Sequence, residues 1–281
     1  MSIRLLASLG AIATLLLTSA SRADEAALVE RGKYLATAAD CAACHTAPDG
    51  KPFAGGVSLQ TPFGTIVTPN ITPDPDAGIG AWTDDEFVDA VRRGRSRGGK
   101  RLFPAMPYPS YAAMTHDDVL AVRAYLKTVA PVPVKVESNL LPFPFSLRVN
   151  MAVWNFLYFH PAAFAPDPQR SAQWNRGRYL VDVLEHCGVC HTPKNLLGAD
   201  VRPAYLSGAT LQGWHAPSIT PTRDNKGIGT WKDQELFSLL RTGQSGNEFA
   251  SGPMGEVVSK STAKLTDDDL NAIIAYLKDK P

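Results

Sequence analysis

Two short segments of the chain place thiol and imidazole side chains at the same spacing. In each, two cysteines are separated by two residues, and a histidine directly follows the second cysteine. This spacing is the attachment signature of a c-type haem, because the two thiols can add to the porphyrin vinyl groups and the histidine can then reach the iron. The residues concerned are Cys41, Cys44, His45, Cys187, Cys190 and His191. They include all four cysteines of the chain, so the sequence predicts two covalently bound c-type haems, with His45 and His191 as iron ligands.

A zinc site and a redox-active cysteine pair are the alternative interpretations of these segments. Structural zinc usually has four protein ligands, so each segment would need a further ligand close by. A redox pair needs no histidine directly after its second cysteine. Each alternative leaves part of the repeated pattern unexplained, whereas the haem interpretation accounts for all of it.

The cysteine segments lie within a longer duplication of the chain. Further segments match between the halves: residues 31–35 and 176–180, 69–73 and 217–221, 78–82 and 227–231, and 124–127 and 275–278. Helices are predicted over Thr83–Arg93, ending at Gly94, and over Lys232–Thr242, ending at Gly243. Thr115 and Thr266 are predicted to cap the last helix of each half. Each half is therefore expected to be a small, mostly helical domain wrapped around one haem.

Residues 131–168, between the two halves, are rich in proline and in large apolar side chains. A flexible linker would instead be polar and rich in glycine and serine. We therefore interpret this segment as an ordered connector that packs across both domains. The alternative is an exposed apolar patch that contacts a membrane surface or a partner subunit.

Methionine is a common second axial ligand of c-type haems, and the duplication narrows the choice among the methionines. Met106 and Met254 follow the glycine that ends the preceding helix by similar distances, and both are expected in irregular loops rich in proline and glycine. They are the predicted second ligands of the iron, whereas Met114 is expected in the core and Met151 in the connector. The remaining histidines are expected to be structural or exposed: His116, His160, His186 and His215.

The first 23 residues have the composition of a secretory signal peptide. Arg4 precedes an apolar run over Leu5–Leu17, and small residues around Ala23 are typical of a cleavage site. A membrane anchor is the alternative, although the run is shorter than the ~20 residues that a membrane span needs. Covalent haem attachment takes place outside the bacterial cytoplasm, so we expect a periplasmic protein, with peripheral association at the membrane surface as a further option. The predicted domains are then residues 24–130 and 169–281, on either side of the connector.

The formal charge of the chain gives no reason to expect a nucleic acid partner. Loss of residues 1–23 removes two arginines and changes the net charge from +1 to −1. Cations are nevertheless concentrated in one stretch that the second half does not repeat: Arg92, Arg93, Arg95, Arg97, Lys100 and Arg101. This basic segment is either a solvated loop, a docking surface for an acidic partner or a contact for haem propionates.

Together these segments resemble the cytochrome c subunits of periplasmic, membrane-associated alcohol, aldehyde and gluconate dehydrogenases. The resemblance rests on residues 31–35 and 41–46, on residues 70–74 and 78–82, and on the loop at residues 104–108, and the second half shares these features. It implies a mostly α fold of two tandem class I-like cytochrome c domains joined by the ordered, proline-rich connector. Members of that family typically contain three haem domains, whereas two are predicted here.

The resemblance implies electron transfer without substrate chemistry in this chain. A separate dehydrogenase catalytic subunit would oxidise the substrate, and electrons would pass singly through the haems to a quinone, an oxidase or another cytochrome. One alternative is a dihaem enzyme such as a peroxidase, which needs an open iron position and is disfavoured by the two methionine candidates. The other is a free-standing soluble carrier, which copurification with a dehydrogenase would distinguish from a subunit.

Overall fold

The computed structural model describes residues 22–137, 140–223 and 227–280. Almost all of the predicted leader lies outside these ranges. The described chain is mostly helical, with short antiparallel hairpins between the helices. Within the described ranges, no helix combines the length and the apolar character needed to cross a membrane.

The first repeat begins with α1, which covers residues 22–38 of the described chain, and the short helix α2 (Cys41–His45). A hairpin of β1 (Ser58–Thr61) and β2 (Gly64–Val67) follows, with Ser58 opposite Val67. The repeat then continues through α3 (Asp84–Arg93), α4 (Tyr108–Tyr111) and α5 (His116–Leu126). A 3-10 turn over Arg97–Gly99 lies between α3 and α4.

The second repeat follows the connector helix α6 (Asn150–Tyr158). It begins with α7 (Ala172–Tyr179), a π-type turn over Leu180–Leu184 and α8 (Gly188–His191). Its hairpins are β3 (Ala209–Leu211) with β4 (Trp214–Ala216), and β5 (Gln244–Ser245) with β6 (Glu248–Phe249). The remaining helices are α9 (Asp233–Thr242), α10 (Gly252–Lys260) and α11 (Asp267–Lys278). Single 3-10 turns occur at Arg202–Ala204 and Thr262–Lys264.

The predicted ends of α3 and α9 are confirmed. The Thr83 hydroxyl accepts the backbone N–H three residues later, which satisfies one free donor of the first turn of α3. At the start of α9, the carboxylate of Glu235 accepts the backbone N–H of Lys232. Gly94 and Gly243 end these helices with φ of 62° and 77°, a left-handed conformation that glycine adopts without strain.

The last helix of each repeat is also capped as predicted. The hydroxyls of Thr115 and Thr266 accept the backbone N–H three residues later in α5 and α11. Acidic side chains in the first turn of each helix interact favourably with the positive end of its dipole. Local sequence therefore specifies where these helices begin.

A glycine allows the first and last helices of each repeat to cross at very short distance. A Cβ atom on Gly32 of α1 would lie 1.8 Å from the carbonyl oxygen of Ala121 in α5. A Cβ atom on Gly177 of α7 would lie 1.9 Å from the carbonyl oxygen of Ala272 in α11. Only glycine permits two backbones to approach this closely. The two crossings bring the buried faces of these helices together in the core.

The connector contacts both repeats through α6. The Tyr108 hydroxyl of the first repeat donates to the side-chain carbonyl of Asn155, at 2.5 Å. The indole N–H of Trp154 donates to the carbonyl of Leu197 in the second repeat, at 3.0 Å. The buried side of α6 is therefore attached to both halves of the chain.

Candidate haem sites

The histidine of each attachment segment makes the same hydrogen bond. Nδ1 of His45 lies 2.8 Å from the carbonyl oxygen of Pro69, and Nδ1 of His191 lies 2.7 Å from that of Pro217. A carbonyl oxygen can only accept, so each Nδ1 carries the proton. Nε2 then keeps its lone pair, and a backbone carbonyl bound to the other ring nitrogen is the usual support of a metal-ligating histidine. Both imidazoles are therefore held in the tautomer that an axial haem ligand requires.

Burial sets the protonation of the imidazoles and thiols. It lowers the pKa of His45 and His191, which favours the neutral imidazole that binds metals. Burial raises the pKa of the Cys41 thiol to about 12 and that of the Cys44 thiol to about 11. Redox-active cysteines show the opposite shift, because their thiolate is stabilised. The environment of this pair is therefore unlike that of a redox site.

A threonine after each histidine orders the loop that follows, a role that the attachment motif alone does not predict. Thr46 Oγ1 accepts the backbone N–H of Phe53 at 3.0 Å, and Thr192 Oγ1 accepts that of Leu206 at 3.1 Å. Phe53 and Leu206 have positive φ of 61° and 63°. The loops differ in length between the repeats, so only the threonine itself, present after both histidines, could have indicated this contact.

A glycine in each of these loops then contacts the attachment segment. The backbone N–H of Gly55 donates to the carbonyl of His45 at 2.8 Å, and that of Gly208 donates to the carbonyl of His191 at 2.8 Å. A Cβ atom on Gly55 would lie only 2.4 Å from the carbonyl oxygen of Thr68. The glycine N–H groups of these loops therefore fix the backbone of both histidines, while the carbonyls of Pro69 and Pro217 fix the orientation of their rings.

Met106 and Met254 occupy different local structures. Met106 lies in the predicted loop before α4, and the core that contacts it also contacts Cys41 and Cys187. The expectation of an equivalent loop is wrong for Met254, which lies in the first turn of α10. Pro253, the second residue of this helix, is tolerated at little cost, because backbone N–H groups in the first turn have no intrahelical partner. Both methionines are half-buried.

The first attachment segment and the turn before the second are each packed against the other repeat. α10 of the second repeat contacts α2, which contains the first segment. Conversely, α4 contacts the π-type turn that precedes the second segment. The Tyr111 ring lies 5.5 Å from the His186 ring, edge to face, and its hydroxyl donates to the carbonyl of Ala39 at 2.7 Å. Both candidate haem sites thus adjoin a single interface between the repeats.

Two equivalent tyrosines, one in each repeat, donate a hydrogen bond to a carboxylate of the other repeat. The Tyr34 hydroxyl on α1 donates to Asp269 at 2.6 Å in the second repeat, and Arg176 donates two hydrogen bonds to the same carboxylate. Burial alone would raise the pKa of Asp269, but the hydrogen bonds from Arg176 and Tyr34 outweigh it and lower the pKa. This carboxylate is therefore ionised and bound from both repeats.

The reciprocal contact uses Tyr179 of the second repeat. Its hydroxyl donates to Asp118 in the first repeat at 2.6 Å, and Arg31 donates to the other oxygen of that carboxylate at 2.6 Å. Each tyrosine hydroxyl also accepts a backbone N–H, from Thr266 for Tyr34 and from Thr115 for Tyr179. We call these two sets of contacts the tyrosine clamps. The tyrosine of the repeated segments at 31–35 and 176–180 thus bonds across the interface, while the arginine binds the accepting carboxylate of its own repeat.

Removal of either clamp hydroxyl is expected to destabilise the interface. Tyr179→Phe should lower the free energy of unfolding by about 2 kcal/mol, because a buried bond to a carboxylate is lost. Tyr34→Phe should cost about 1 kcal/mol, since its site is half-exposed and water can replace the hydroxyl. Thermal unfolding of the haem-loaded protein measures both. Tyr125→Phe is the control, because that hydroxyl makes no hydrogen bond among the described residues; equal effects of all three variants would contradict the clamp.

The basic segment lies at the surface around the 3-10 turn after α3. Arg93 pairs with Asp89 at 2.7 Å, and Arg97 lies 3.6 Å from Glu86. In the described part of the chain, Arg95 and Lys100 are exposed and have no carboxylate within salt-bridge distance. The segment therefore presents cations to solvent. Of the remaining histidines, His186 is half-buried at the interface, where desolvation lowers its pKa to about 4.

Comparison with known proteins identifies the family. The sequence model of the Cytochrome c family matches residues 29–130 and 175–280, which together exceed half of the chain. The chain belongs to the cytochrome c family. Each matched region contains one attachment segment, so two cytochrome c domains lie in tandem, and the chain binds two covalently attached c-type haems.

Two relatives also confirm the resemblance to dehydrogenase cytochromes, and a third is a dihaem cytochrome. The chain is 45% identical over 258 residues to the fructose dehydrogenase cytochrome subunit of Gluconobacter japonicus, covering 90% of this chain and 52% of that protein. It is 44% identical over 276 residues to the gluconate 2-dehydrogenase cytochrome c subunit of Pantoea cypripedii, covering 93% and 62%. It is 38% identical over 259 residues to a dihaem c-type cytochrome of Cereibacter sphaeroides, covering 89% and 85%. The chain thus spans 52–62% of these two dehydrogenase subunits and most of the dihaem protein.

Proposed function

We propose that this cytochrome carries electrons for a dehydrogenase whose separate catalytic subunit oxidises the substrate. The fructose and gluconate relatives are named as cytochrome subunits of such enzymes. Electrons would leave to a quinone, an oxidase or another cytochrome. The observation that carries the proposal is the packing of both attachment segments at one interface, since this joins two one-electron centres in one folded unit.

The attachment residues have distinct roles in this proposal. Cys41 and Cys44 bind the first haem through thioether bonds, and Cys187 and Cys190 bind the second. His45 and His191 are the first axial ligands, supported by the proline carbonyls that fix their tautomer. When bound, each haem supplies one-electron chemistry at its iron.

Met106 and Met254 are the proposed second axial ligands. A thioether ligand favours the ferrous state and raises the reduction potential. It also closes the iron to exogenous ligands, which disfavours a peroxidase. Both methionines are half-buried and follow the glycine that ends α3 or α9 by similar distances, which supports this assignment.

Two covalent haems should be visible in the mass of the mature protein. The chain is expressed with a cytochrome c maturation system, and the intact mass is measured under denaturing conditions, where only covalent groups remain. Two haem additions are expected on a chain cleaved near Ala23. Cys44→Ala and Cys190→Ala should each reduce covalent loading at one site only. A wild-type chain with one addition or none would contradict the assignment of the attachment residues.

A free-standing electron carrier is the second candidate function. It is favoured by the dihaem relative, of which this chain covers 85%. Affinity purification of the tagged chain from its native host separates the two candidates. A dehydrogenase catalytic subunit at equal stoichiometry supports the subunit function, whereas recovery of the cytochrome alone supports the carrier.

Export to the periplasm is part of the proposal. Haem attachment outside the cytoplasm and the composition of residues 1–23 support it. The cytochrome would then share a compartment with an exported dehydrogenase and with the outer surface of the cytoplasmic membrane.

A further inference from the structure

Asp182 is a half-buried carboxylate that has no part in haem attachment or iron ligation. It lies in the π-type turn over Leu180–Leu184 and accepts hydrogen bonds from two tyrosine hydroxyls, Tyr205 at 2.7 Å and Tyr276 at 2.9 Å. Burial raises the pKa of Asp182, whereas these two bonds and nearby positive charges lower it. We call these three residues the aspartate cluster. Its hydroxyl donors hold the carboxylate in place and favour its ionised form.

The aspartate cluster lies against the second attachment segment. A Cβ atom on Gly188 would lie 2.4 Å from Cε2 of Tyr205, so this ring packs directly on the backbone between the two cysteines. Burial raises the pKa of the Cys187 thiol, and the charges of Glu185 and Asp182 raise it further. The electrostatic field of Asp182 therefore reaches a sulfur through which the second haem is attached.

Among the described residues, the first repeat lacks an equivalent of the aspartate cluster. The segment from the repeated tyrosine to the first cysteine is one residue longer in the second repeat, and its π-type turn contains Asp182. Such turns in helices are frequent at functional sites. At the same distance from the tyrosine the first repeat has Thr37. Tyr125 stands at the position of Tyr276, and its hydroxyl makes no hydrogen bond in the described part of the chain.

We propose that Asp182 lowers the reduction potential of the second haem. Oxidation of a haem iron adds one positive charge, so a fixed carboxylate nearby stabilises the oxidised form relative to the reduced form. The effect is larger inside a protein than in water, because the effective dielectric constant is lower. The inference deepens the proposed electron-transfer function, on which its consequence rests, since a lower potential makes it easier for an electron to leave the second haem.

A redox titration of the haem-loaded protein with chemical mediators tests this proposal. Asp182→Asn should shift one haem roughly tenfold towards its reduced form, which is a rise of about 59 mV in the midpoint potential of a one-electron couple. Asp182→Thr, which copies the first repeat, should raise the same midpoint. Thr37→Asp adds a carboxylate at the matching position of the first repeat and should lower the other midpoint. Intact mass verifies that each variant carries two haems.

Asp268→Asn is the matched control, because it removes the same charge from an exposed position on α11 and should leave both midpoints unchanged. Tyr276→Phe separates the charge from a merely structural role. It removes a hydrogen bond but keeps the carboxylate, so it should lower thermal stability without raising either midpoint.

The proposal is overturned if both Asp182 variants leave the midpoints unchanged, or if Tyr276→Phe raises the same midpoint by as much. Mediators replace the dehydrogenase in this titration, so its outcome is independent of the protein that supplies the electrons. Copurification with a dehydrogenase tests the proposed function separately.

Discussion

Met106→Ala is expected to remove about half of the weak sulfur-to-iron charge-transfer absorption of the oxidised protein, because one of two thioether-ligated irons loses its sulfur. The altered haem should also fall in reduction potential and bind small exogenous ligands that the wild type excludes. Both covalent haems should remain, since the cysteines are intact. Absorption spectra and a redox titration of the purified variant measure these effects.

Met254→Ala should produce the same loss at the second haem, and the double variant should lose the band entirely. Met151→Ala is the matched control, because Met151 is a half-buried methionine on the connector helix and lies outside both proposed sites. The ligand assignment fails if Met114→Ala removes the band while Met106→Ala leaves it intact. Met114 is buried in the core, so its own substitution should instead lower stability.

Gly177→Ala is expected to destabilise the protein by about 3 kcal/mol or more, although helix propensity alone predicts a gain of about 1 kcal/mol. The added Cβ would lie 1.9 Å from the carbonyl oxygen of Ala272, so α7 and α11 would have to move apart. Gly32→Ala should have the same effect, because its Cβ would lie 1.8 Å from the carbonyl of Ala121. The midpoint of chemical denaturation of the haem-loaded protein measures both changes.

The sign of the stability change in the glycine variants shows which effect dominates. A loss of stability indicates close packing of the two helices, whereas a gain indicates helix propensity alone. Lys33→Ala and Gln173→Ala are the controls, since they place alanine at exposed positions directly after Gly32 and one turn before Gly177. Both controls should change stability by less than about 0.5 kcal/mol. A glycine variant that is more stable than the wild type would show that the helices are not as close as the structure places them.

The sequence alone determined the chemistry of this protein and the ends of many helices. A c-type haem needs two thiols and a histidine at fixed spacing in one short segment, so Cys41–His45 and Cys187–His191 indicate the cofactor without any tertiary information. Helix caps are equally local. The hydroxyls of Thr83, Thr115 and Thr266 bond the backbone three residues later, and the pattern is therefore legible in the sequence.

Only the tertiary structure decided how the two halves meet. Tyr34 and Asp269 are more than two hundred residues apart, so neither periodicity nor spacing connects them, although the tyrosine occurs in both repeats. Proline and glycine are typical of loops but also of a helix start, so the residues around Met254 predict a loop where the structure has the first turn of α10. Burial of an apolar side chain depends on what packs against it from elsewhere in the chain. For that reason the composition of the connector was clear from the sequence, whereas the structure was needed to place Trp154 inside and Phe156 in solvent.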